Sequence, residues 1–393
     1  MNFRSVLKSP SEKAPLFRKL PYNFWAARCR YSYMNKSYWL LSLTFLVVLN
    51  AVCFSQTAAS AMPGDFLVRD FKFESGETLP ELKIHYVTLG QPRKDANGRI
   101  TNAVLILHGT GGSHTQFLGR QFGGVLFGKG QLLDAEKYFI IIPDNVGHGA
   151  SSKPSDGLHA RFPHYDYHDM LVLQYRLLTE KLGVNHLRLV MGTSMGGMHS
   201  WMWAEMYPDF MDAAMPLASL PIEISGRNRF FRRMVIDPIK NDPDWQNGEY
   251  KIQPVRGLTT ALYTLMMMTS SPLQMQKQMP SKAAADAAFD QRIKQQLATY
   301  DANDMLYQFD ASRDYNPEPK LEAITTHLLA INSADDQVNP PELGVMEKEI
   351  KRVKNGRFVL LPITDETRGH GTHTIASIWQ KHLADLLADT EKK

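Results

Sequence analysis

The chain has 393 residues, 44% of them hydrophobic and 21% charged, which is enough to bury one large mixed domain or two smaller ones. Its net charge of +4 arises at the amino terminus, because Met1–Ala61 holds eight of the 44 Lys and Arg residues and one of the 40 acidic residues. The rest of the chain carries 36 basic and 39 acidic residues, a balance that argues against nucleic-acid binding.

The amino-terminal segment predicts export. A basic stretch is followed by the short apolar run Tyr38–Phe54 and by small residues at Ala59-Ser60-Ala61, the pattern of a signal peptide. Polar residues interrupt the apolar run, so an uncleaved membrane anchor is the less favoured alternative. We predict that residues 1–61 contain a signal peptide, with translation starting at Met34 within this range. The mature protein is then expected to be periplasmic or secreted, with no stable membrane anchor after cleavage.

Cysteine chemistry is not expected in the mature protein. Both cysteines, Cys29 and Cys53, precede the predicted cleavage site. The mature chain would therefore have no disulfide, no thiolate nucleophile and no cysteine-ligated metal. We predict neither a cofactor nor a metal.

Apolar patterns predict the strands and helices of the body. The runs Phe66–Phe73 and Leu82–Val87 alternate in polarity and predict an antiparallel hairpin. Continuous apolar runs predict strands that are buried on both faces, at Ala103–Leu107, Tyr138–Pro143, Asp212–Leu217, Thr326–Ile331 and Phe358–Pro362. With helical spacing over His168–Leu182 between two of the strands, the order predicts an α/β fold, a mostly parallel sheet with helices on both faces.

A strand-to-helix turn at Gly192-Thr193-Ser194-Met195-Gly196 follows an apolar run and precedes a helical pattern rich in Met and Trp. This G-x-S-x-G arrangement in that setting is typical of a nucleophilic serine on a strained turn, with glycines where side chains would collide with backbone. An ordinary glycine turn is the alternative. The sequence therefore predicts Ser194 as a nucleophile, with the amide of Met195 aimed at the carbonyl oxygen under attack.

The glycine-rich loop His108–Gly112 follows the first buried strand. We interpret it as the second half of an oxyanion hole, with the Thr110 amide as the donor that partners Met195. A plain turn and a nucleotide-binding loop are the alternatives, although neither phosphate-binding glycine motif is present.

An acid and a histidine follow later strands. The order Ser194, Asp336, His370 is that of a serine–acid–histidine triad in which each residue follows a strand end. Asp335 and His373 are the alternatives; the D-x-V-x-P spacing favours Asp336, and a place in the loop before the last helix favours His370. His148 precedes the serine and is interpreted as loop structure.

Residues 221–319 interrupt the strand–helix alternation and predict a mainly helical cap between two parts of the core, residues 62–220 and 320–393. A helical run at Ser281–Tyr300 lies within the cap. The methionines of Leu265–Met268 are expected to pack in the core rather than to line a ligand surface, although an adaptable apolar pocket is the alternative.

From about Asn102 onward the sequence resembles the α/β-hydrolase superfamily, and more narrowly its homoserine O-acetyltransferase branch. The most specific element is Asp242–Tyr250, which resembles the D-P-x-W-x-x-G-x-Y cap motif of that branch. The loops at His108–Gly112 and Gly369–His373 depart from it. The resemblance implies the fold and the triad, but it does not imply which molecule accepts the acyl group. It also implies that Arg233 binds an anionic group of the substrate.

Together these features predict a serine hydrolase acting on a small-molecule ester, thioester or amide. An acyltransferase of the same fold is the main alternative, because the triad serves water and an alcohol acceptor equally well. A non-catalytic binding protein is a third, disfavoured because such a protein needs no complete triad. We expect no nucleic-acid partner.

Overall fold

The computed structural model describes residues 60–391. Apart from Ser60 and Ala61, the predicted signal peptide lies outside the described residues, and so does the predicted start at Met34. Among the described helices, none combines the length and the apolar character needed to cross a bilayer.

The described residues form one eight-stranded sheet with the strand order β1-β2-β4-β3-β5-β6-β7-β8. The first two strands are antiparallel to their neighbours, and β3 to β8 run parallel. The strands are β1 (Met62–Lys72), β2 (Thr78–Leu89), β3 (Ala103–Leu107), β4 (Phe139–Pro143), β5 (Leu189–Thr193), β6 (Ala213–Leu217), β7 (His327–Ser333) and β8 (Gly356–Leu361).

Helices cover both faces of the sheet and fill the segment between β6 and β7. They are α1 (Thr115–Leu118), α2 (Gly123–Leu126), α3 (Tyr167–Arg176), α4 (Met195–Met206), α5 (Gly226–Lys240), α6 (Val255–Met268), α7 (Pro272–Gln278), α8 (Lys282–Leu297), α9 (Ala302–Asp310), α10 (Val345–Glu349) and α11 (Ala376–Asp389). This arrangement confirms the predicted fold class.

The inner strands carry continuous apolar runs because both sides of the sheet are covered. Every residue of β3, β4, β5 and β6 is buried. Alternate side chains of β3 enter different cores: Val104 and Ile106 pack with Trp379 of α11, whereas Leu105 and Leu107 pack with Trp201 of α4. A strand with one solvent face would instead have alternated in polarity.

The segment between β6 and β7 packs over the carboxyl ends of the strands. Its α6 buries Leu258, Leu262 and Met268 in one cluster with Met195 and Met198 of α4. Within the run Leu265–Met268, Met266 and Met268 are buried and Met267 is exposed. The helices of this segment therefore cover the start of α4, where Ser194 lies.

Candidate active site

Ser194 occupies a sharp turn between β5 and α4. Its φ of 56° and ψ of −113° lie outside the regions that side chains favour. The glycines on either side are required by sterics: a Cβ on Gly192 would overlap the carbonyl of Gly196, and a Cβ on Gly196 would overlap the carbonyl of Leu107. The turn projects Ser194 past the carboxyl end of the sheet.

The structure brings Ser194, His370 and Asp336 into one hydrogen-bonded chain. His370 Nδ1 lies 2.8 Å from Asp336 Oδ2, and His370 Nε2 lies 2.8 Å from Ser194 Oγ. A carboxylate only accepts hydrogen bonds, so Nδ1 donates to Asp336, and Nε2 accepts from the serine hydroxyl. The imidazole is thus held in the tautomer that can take the serine proton.

The Asp336 carboxylate is fully enclosed and fully hydrogen-bonded. Its Oδ1 accepts from the amides of Val338 and Asn339 at 2.8 and 3.2 Å, and its Oδ2 also accepts from Asn339 Nδ2 at 3.0 Å. Burial on its own would raise the pKa of Asp336, but His370 and the donors from Asn339 and Val338 outweigh it and hold that pKa below its ordinary value. The carboxylate therefore stays ionised.

The alternative acid and base lie close by but make other contacts. Asp335 accepts hydrogen bonds from the Gly369 amide at 2.8 Å and from Ser333 Oγ at 2.5 Å. His373 is half-buried, and desolvation together with the neighbouring His370 lowers its pKa to about 3. The geometry favours Asp336 and His370 over these neighbours, while Asp335 holds the loop in which His370 lies.

Two backbone segments adjoin Ser194. The amide of Met195 is the first of α4 and has no intrahelical acceptor. In the loop of residues 108–112, a Cβ on Gly109 would lie 3.9 Å from Ser194 Oγ, so this loop passes beside the serine. Gln116 ties the loop to β5, because its Nε2 donates to Thr193 Oγ1 at 2.8 Å. The Thr110 amide donates no hydrogen bond to another described residue.

His148 lies in a buried turn rather than beside Ser194. Its Nδ1 donates to the Val146 carbonyl at 3.0 Å, and its ring lies 5.0 Å from the ring of His108. Burial lowers the pKa of His148 to about 3, so this side chain stays neutral.

Arg233, predicted to bind an anionic group of the substrate, is directed toward solvent. Arg233 lies on the exposed side of α5 and forms an ion pair with Asp237 at 2.7 Å. Its neighbour Arg232 points inward instead: it is 4% exposed, and its guanidinium lies 6.0 Å from the Phe309 ring. Arg232 forms no ion pair with a carboxylate of the described chain: its Nη1 lies 3.5 Å from the Phe309 carbonyl, and its Nε has no hydrogen-bond partner there. Of these two arginines, Arg232 is therefore the one whose charge points into the protein.

The cap motif at Asp242–Tyr250 makes contacts inside the cap. Asp242 Oδ2 accepts from the Gly257 amide at 2.7 Å, and Tyr250 Oη donates to Asp301 Oδ1 at 2.8 Å. Trp245 Nε1 donates to Asn303 at 2.8 Å. These residues hold α5, α6 and α9 together and make no contact with Ser194.

One group of described side chains has the composition of a metal site. Ligand-capable atoms of His85, His114 and Asp144 lie within 4.8 Å of one another. The Asp144 oxygens, however, already accept from the backbone amides of His114 and Ala150 at 2.6 and 2.9 Å. These bonds make Asp144 an anchor for the loops around it.

Comparison with known proteins agrees with this fold. Residues 102–362 match the model of the alpha/beta hydrolase fold family. The chain is 30% identical to a probable acyltransferase of Methanothermobacter thermautotrophicus, over 72% of this chain and 85% of that protein. It is 33% identical to a homoserine O-acetyltransferase of Pelobacter propionicus, over 61% of this chain and 68% of that protein.

A solved structure shares the same architecture. The acetyl esterase MekB superposes with a TM-score of 0.72 at 25% identity, over 83% of this chain and 97% of that one. These matches confirm the resemblance predicted from the sequence, and they include both hydrolases and acyltransferases.

Proposed function

The chain belongs to the family of proteins with the alpha/beta hydrolase fold, and we propose that it is a serine hydrolase that cleaves an ester, thioester or amide. The observation that carries the proposal is the chain of two 2.8 Å hydrogen bonds from Ser194 through His370 to Asp336. A serine activated in this way forms acyl-enzymes.

In the proposed reaction, Ser194 Oγ attacks the carbonyl carbon of the substrate while His370 Nε2 takes its proton. The tetrahedral oxyanion accepts hydrogen bonds from the amides of Met195 and Thr110. His370 then protonates the leaving group, and water attacks the acyl-enzyme with His370 as the base. Asp336 holds the imidazole in place and stabilises its charged form.

We propose that an apolar part of the substrate occupies a cavity of about 360 Å³ beside the acid loop. Its wall combines aliphatic residues, among them Met198, Leu220, Ile222, Ile224, Val338 and Leu343, with the charged residues Glu223, Arg227 and Glu342. Asn339, which contacts Asp336, is also part of the wall, whereas Ser194 and His370 are not. The aliphatic part of the wall suits a hydrocarbon group.

An acyltransferase is the second candidate, and the names of the relatives favour it. The cap motif does not separate the two, since Asp242, Trp245 and Tyr250 bond to other cap residues. The predicted export favours hydrolysis, because a protein directed out of the cytoplasm by Met1–Ala61 would work where acetyl-CoA is absent.

Labelling with a fluorophosphonate probe tests the proposal directly. We expect the mature protein to react with one equivalent of probe, and Ser194→Ala to abolish the labelling. Turnover of acyl esters from short to long chain would then define the substrate class. If the wild-type protein neither reacts with the probe nor cleaves any ester in the series, the hydrolase proposal is wrong.

A further inference from the structure

We propose that Asn339 is a positioning residue for the active site, whose side-chain amide fixes the Asp336 carboxylate against His370. The inference rests on the proposed function, because the orientation of Asp336 matters for turnover only if Ser194 is a nucleophile.

Asn339 bridges two strand ends. It is 2% exposed, and its Nδ2 donates to Asp336 Oδ2 at 3.0 Å and to the Ala218 carbonyl at 2.8 Å. A side-chain amide nitrogen has two hydrogens, so both are used. Ala218 directly follows β6, whereas Asp336 follows β7. The amide thereby ties the carboxylate to the neighbouring strand.

The bond is made to the carboxylate oxygen that also holds the histidine. Asp336 Oδ2 accepts from both Asn339 and His370, whereas Oδ1 is held by backbone amides. Without the Asn339 side chain, His370 would be the remaining described donor to Oδ2, and rotation of the carboxylate about its Cβ–Cγ bond would be opposed by the Oδ1 amide bonds and His370 alone. A rotated carboxylate would no longer fix the imidazole toward Ser194.

Asn332 provides a matched control. It is 4% exposed, and it anchors the residue after Ala218: its Nδ2 donates to the Ser219 carbonyl at 3.2 Å and its Oδ1 accepts from the Ser219 amide at 3.1 Å. No hydrogen bond joins it to Asp336. Loss of Asn332 would therefore loosen the same loop without freeing the carboxylate.

The first test compares Asn339→Ala with Asn332→Ala. We expect both variants to lose thermal stability, because each leaves buried backbone groups unpaired. Only Asn339→Ala should lower kcat, by about 10- to 100-fold, the range of one charge-assisted hydrogen bond. The loss in kcat should exceed any change in KM, which Asn339 can also affect as part of the cavity wall. Equal kcat for Asn339→Ala and the wild type, or an equal loss in Asn332→Ala, would overturn the inference.

The second test uses Asn339→Asp, which preserves shape but places a carboxyl group against Asp336. Two carboxyl groups at this distance share a proton. While that proton is held, the new carboxyl donates to Asp336 as the amide does. Because His370 must itself be neutral to act as the base, the informative quantity is the ratio of variant to wild-type kcat/KM at each pH. This ratio should be near one at acidic pH and should fall as the shared proton is lost, between roughly pH 5 and 8.

The titratable groups in hydrogen-bond contact with Asn339 are Asp336 and His370, whose Nδ1 lies 3.5 Å from Asn339 Nδ2. Glu223, Arg227 and Glu342 line the same cavity as Asn339, and Glu347 lines a smaller one beside it. Asp335 bonds to Gly369 instead. A profile for Asn339→Asp that is parallel to that of the wild type would contradict the positioning role. Absence of Ser194 labelling in the wild-type protein would instead refute the proposed function itself, so the two failures are distinguishable.

Discussion

At the residue scale, the adjacent residues Asp335 and Asp336 divide two tasks between them. Successive side chains after a strand point in different directions, so Asp336 meets His370 while Asp335 accepts the Gly369 amide one residue before it. Asp335 therefore bonds to the backbone of the loop, and Asp336 bonds to the imidazole. Removal of either carboxylate should affect His370, but to different degrees.

We predict that Asp336→Asn and His370→Ala each lower kcat by about three to four decades, the loss expected for members of a serine triad. Asp335→Asn should cost far less, because an asparagine oxygen can still accept from Gly369. Steady-state kinetics on a reactive acyl ester would measure all three. The opposite ranking of Asp335→Asn and Asp336→Asn would reverse the assignment.

Arg232 and Arg233 of α5 differ in burial because they lie on different sides of the helix. The buried residues of this helix are Arg232, Val235, Ile236 and Ile239, a stripe with helical spacing. Arg233 falls about 100° away from Arg232 around the axis and faces solvent. The spacing of the aliphatic residues, read from the sequence, would have indicated Arg232.

We expect Arg232→Met to weaken the binding of anionic substrates and to stabilise the folded protein. The KM for an acyl ester with a carboxylate should rise about tenfold or more while neutral esters change little, since a guanidinium pairs with carboxylates. The free energy of unfolding should increase, because burial of an unpaired charge is costly. Arg233→Met serves as the control and should change neither. Equal losses on charged and neutral esters would show that Arg232 is structural.

Much of the site could be predicted because its residues follow the ends of apolar runs. The strand, glycine and serine pattern placed Ser194 on a turn, and the strand order placed Asp336 and His370 at the same edge of the sheet. The role we propose for Asn339 was not predictable, since its contact with Ala218 joins two loops that are 121 residues apart. Long-range side-chain contacts of this kind leave no periodic signal in a sequence.

At the element scale, α9 is joined to the core by a buried carboxylate. Asp304 accepts from the Ser155 amide at 2.9 Å and from Ser155 Oγ at 2.6 Å. Burial raises the pKa of Asp304 to about 6, opposed by the Ser155 bonds and assisted by the charge of Asp301. The attachment of this helix therefore includes a group that titrates near pH 6 in the folded protein.

The direction of the resulting pH effect follows from linkage. The folded state binds the Asp304 proton more tightly than the unfolded chain does, so its contribution to stability is present below the ordinary pKa of 3.8 and is lost as the pH rises through about 6. Relative to Asp304→Asn, the wild-type protein should gain on the order of 1–3 kcal/mol between pH 7 and pH 4.

Denaturant unfolding at several pH values would measure this difference. Asp290→Asn on the exposed surface of α8 is a suitable control, and its free energy of unfolding should differ from that of the wild type by the same amount at every pH. If the difference between Asp304→Asn and the wild type is also independent of pH, Asp304 does not titrate in this range.

At the scale of the whole molecule, the helices between β6 and β7 cover the carboxyl edge of the sheet, where the three triad candidates meet. The cap decides which molecules reach an acyl-enzyme, because the triad alone does not distinguish water from an alcohol. An exported protein would also have no acetyl-CoA available as an acyl donor. Both the cap and the compartment therefore bear on whether the acyl group ends on water or on an acceptor.

We predict that water is the principal acceptor. When the mature protein is incubated with an activated acyl ester, free acid should form at a rate that homoserine, serine or glycerol leaves almost unchanged, because water is in large excess and no residue of the proposed site is assigned to bind an alcohol or amine acceptor. Chromatographic quantification of free acid and acylated acceptor measures the partition, with Ser194→Ala correcting for uncatalysed reaction. A dominant acylated product at millimolar acceptor, with free acid falling in proportion, would assign the protein as an acyltransferase, in line with its relatives in Methanothermobacter thermautotrophicus and Pelobacter propionicus.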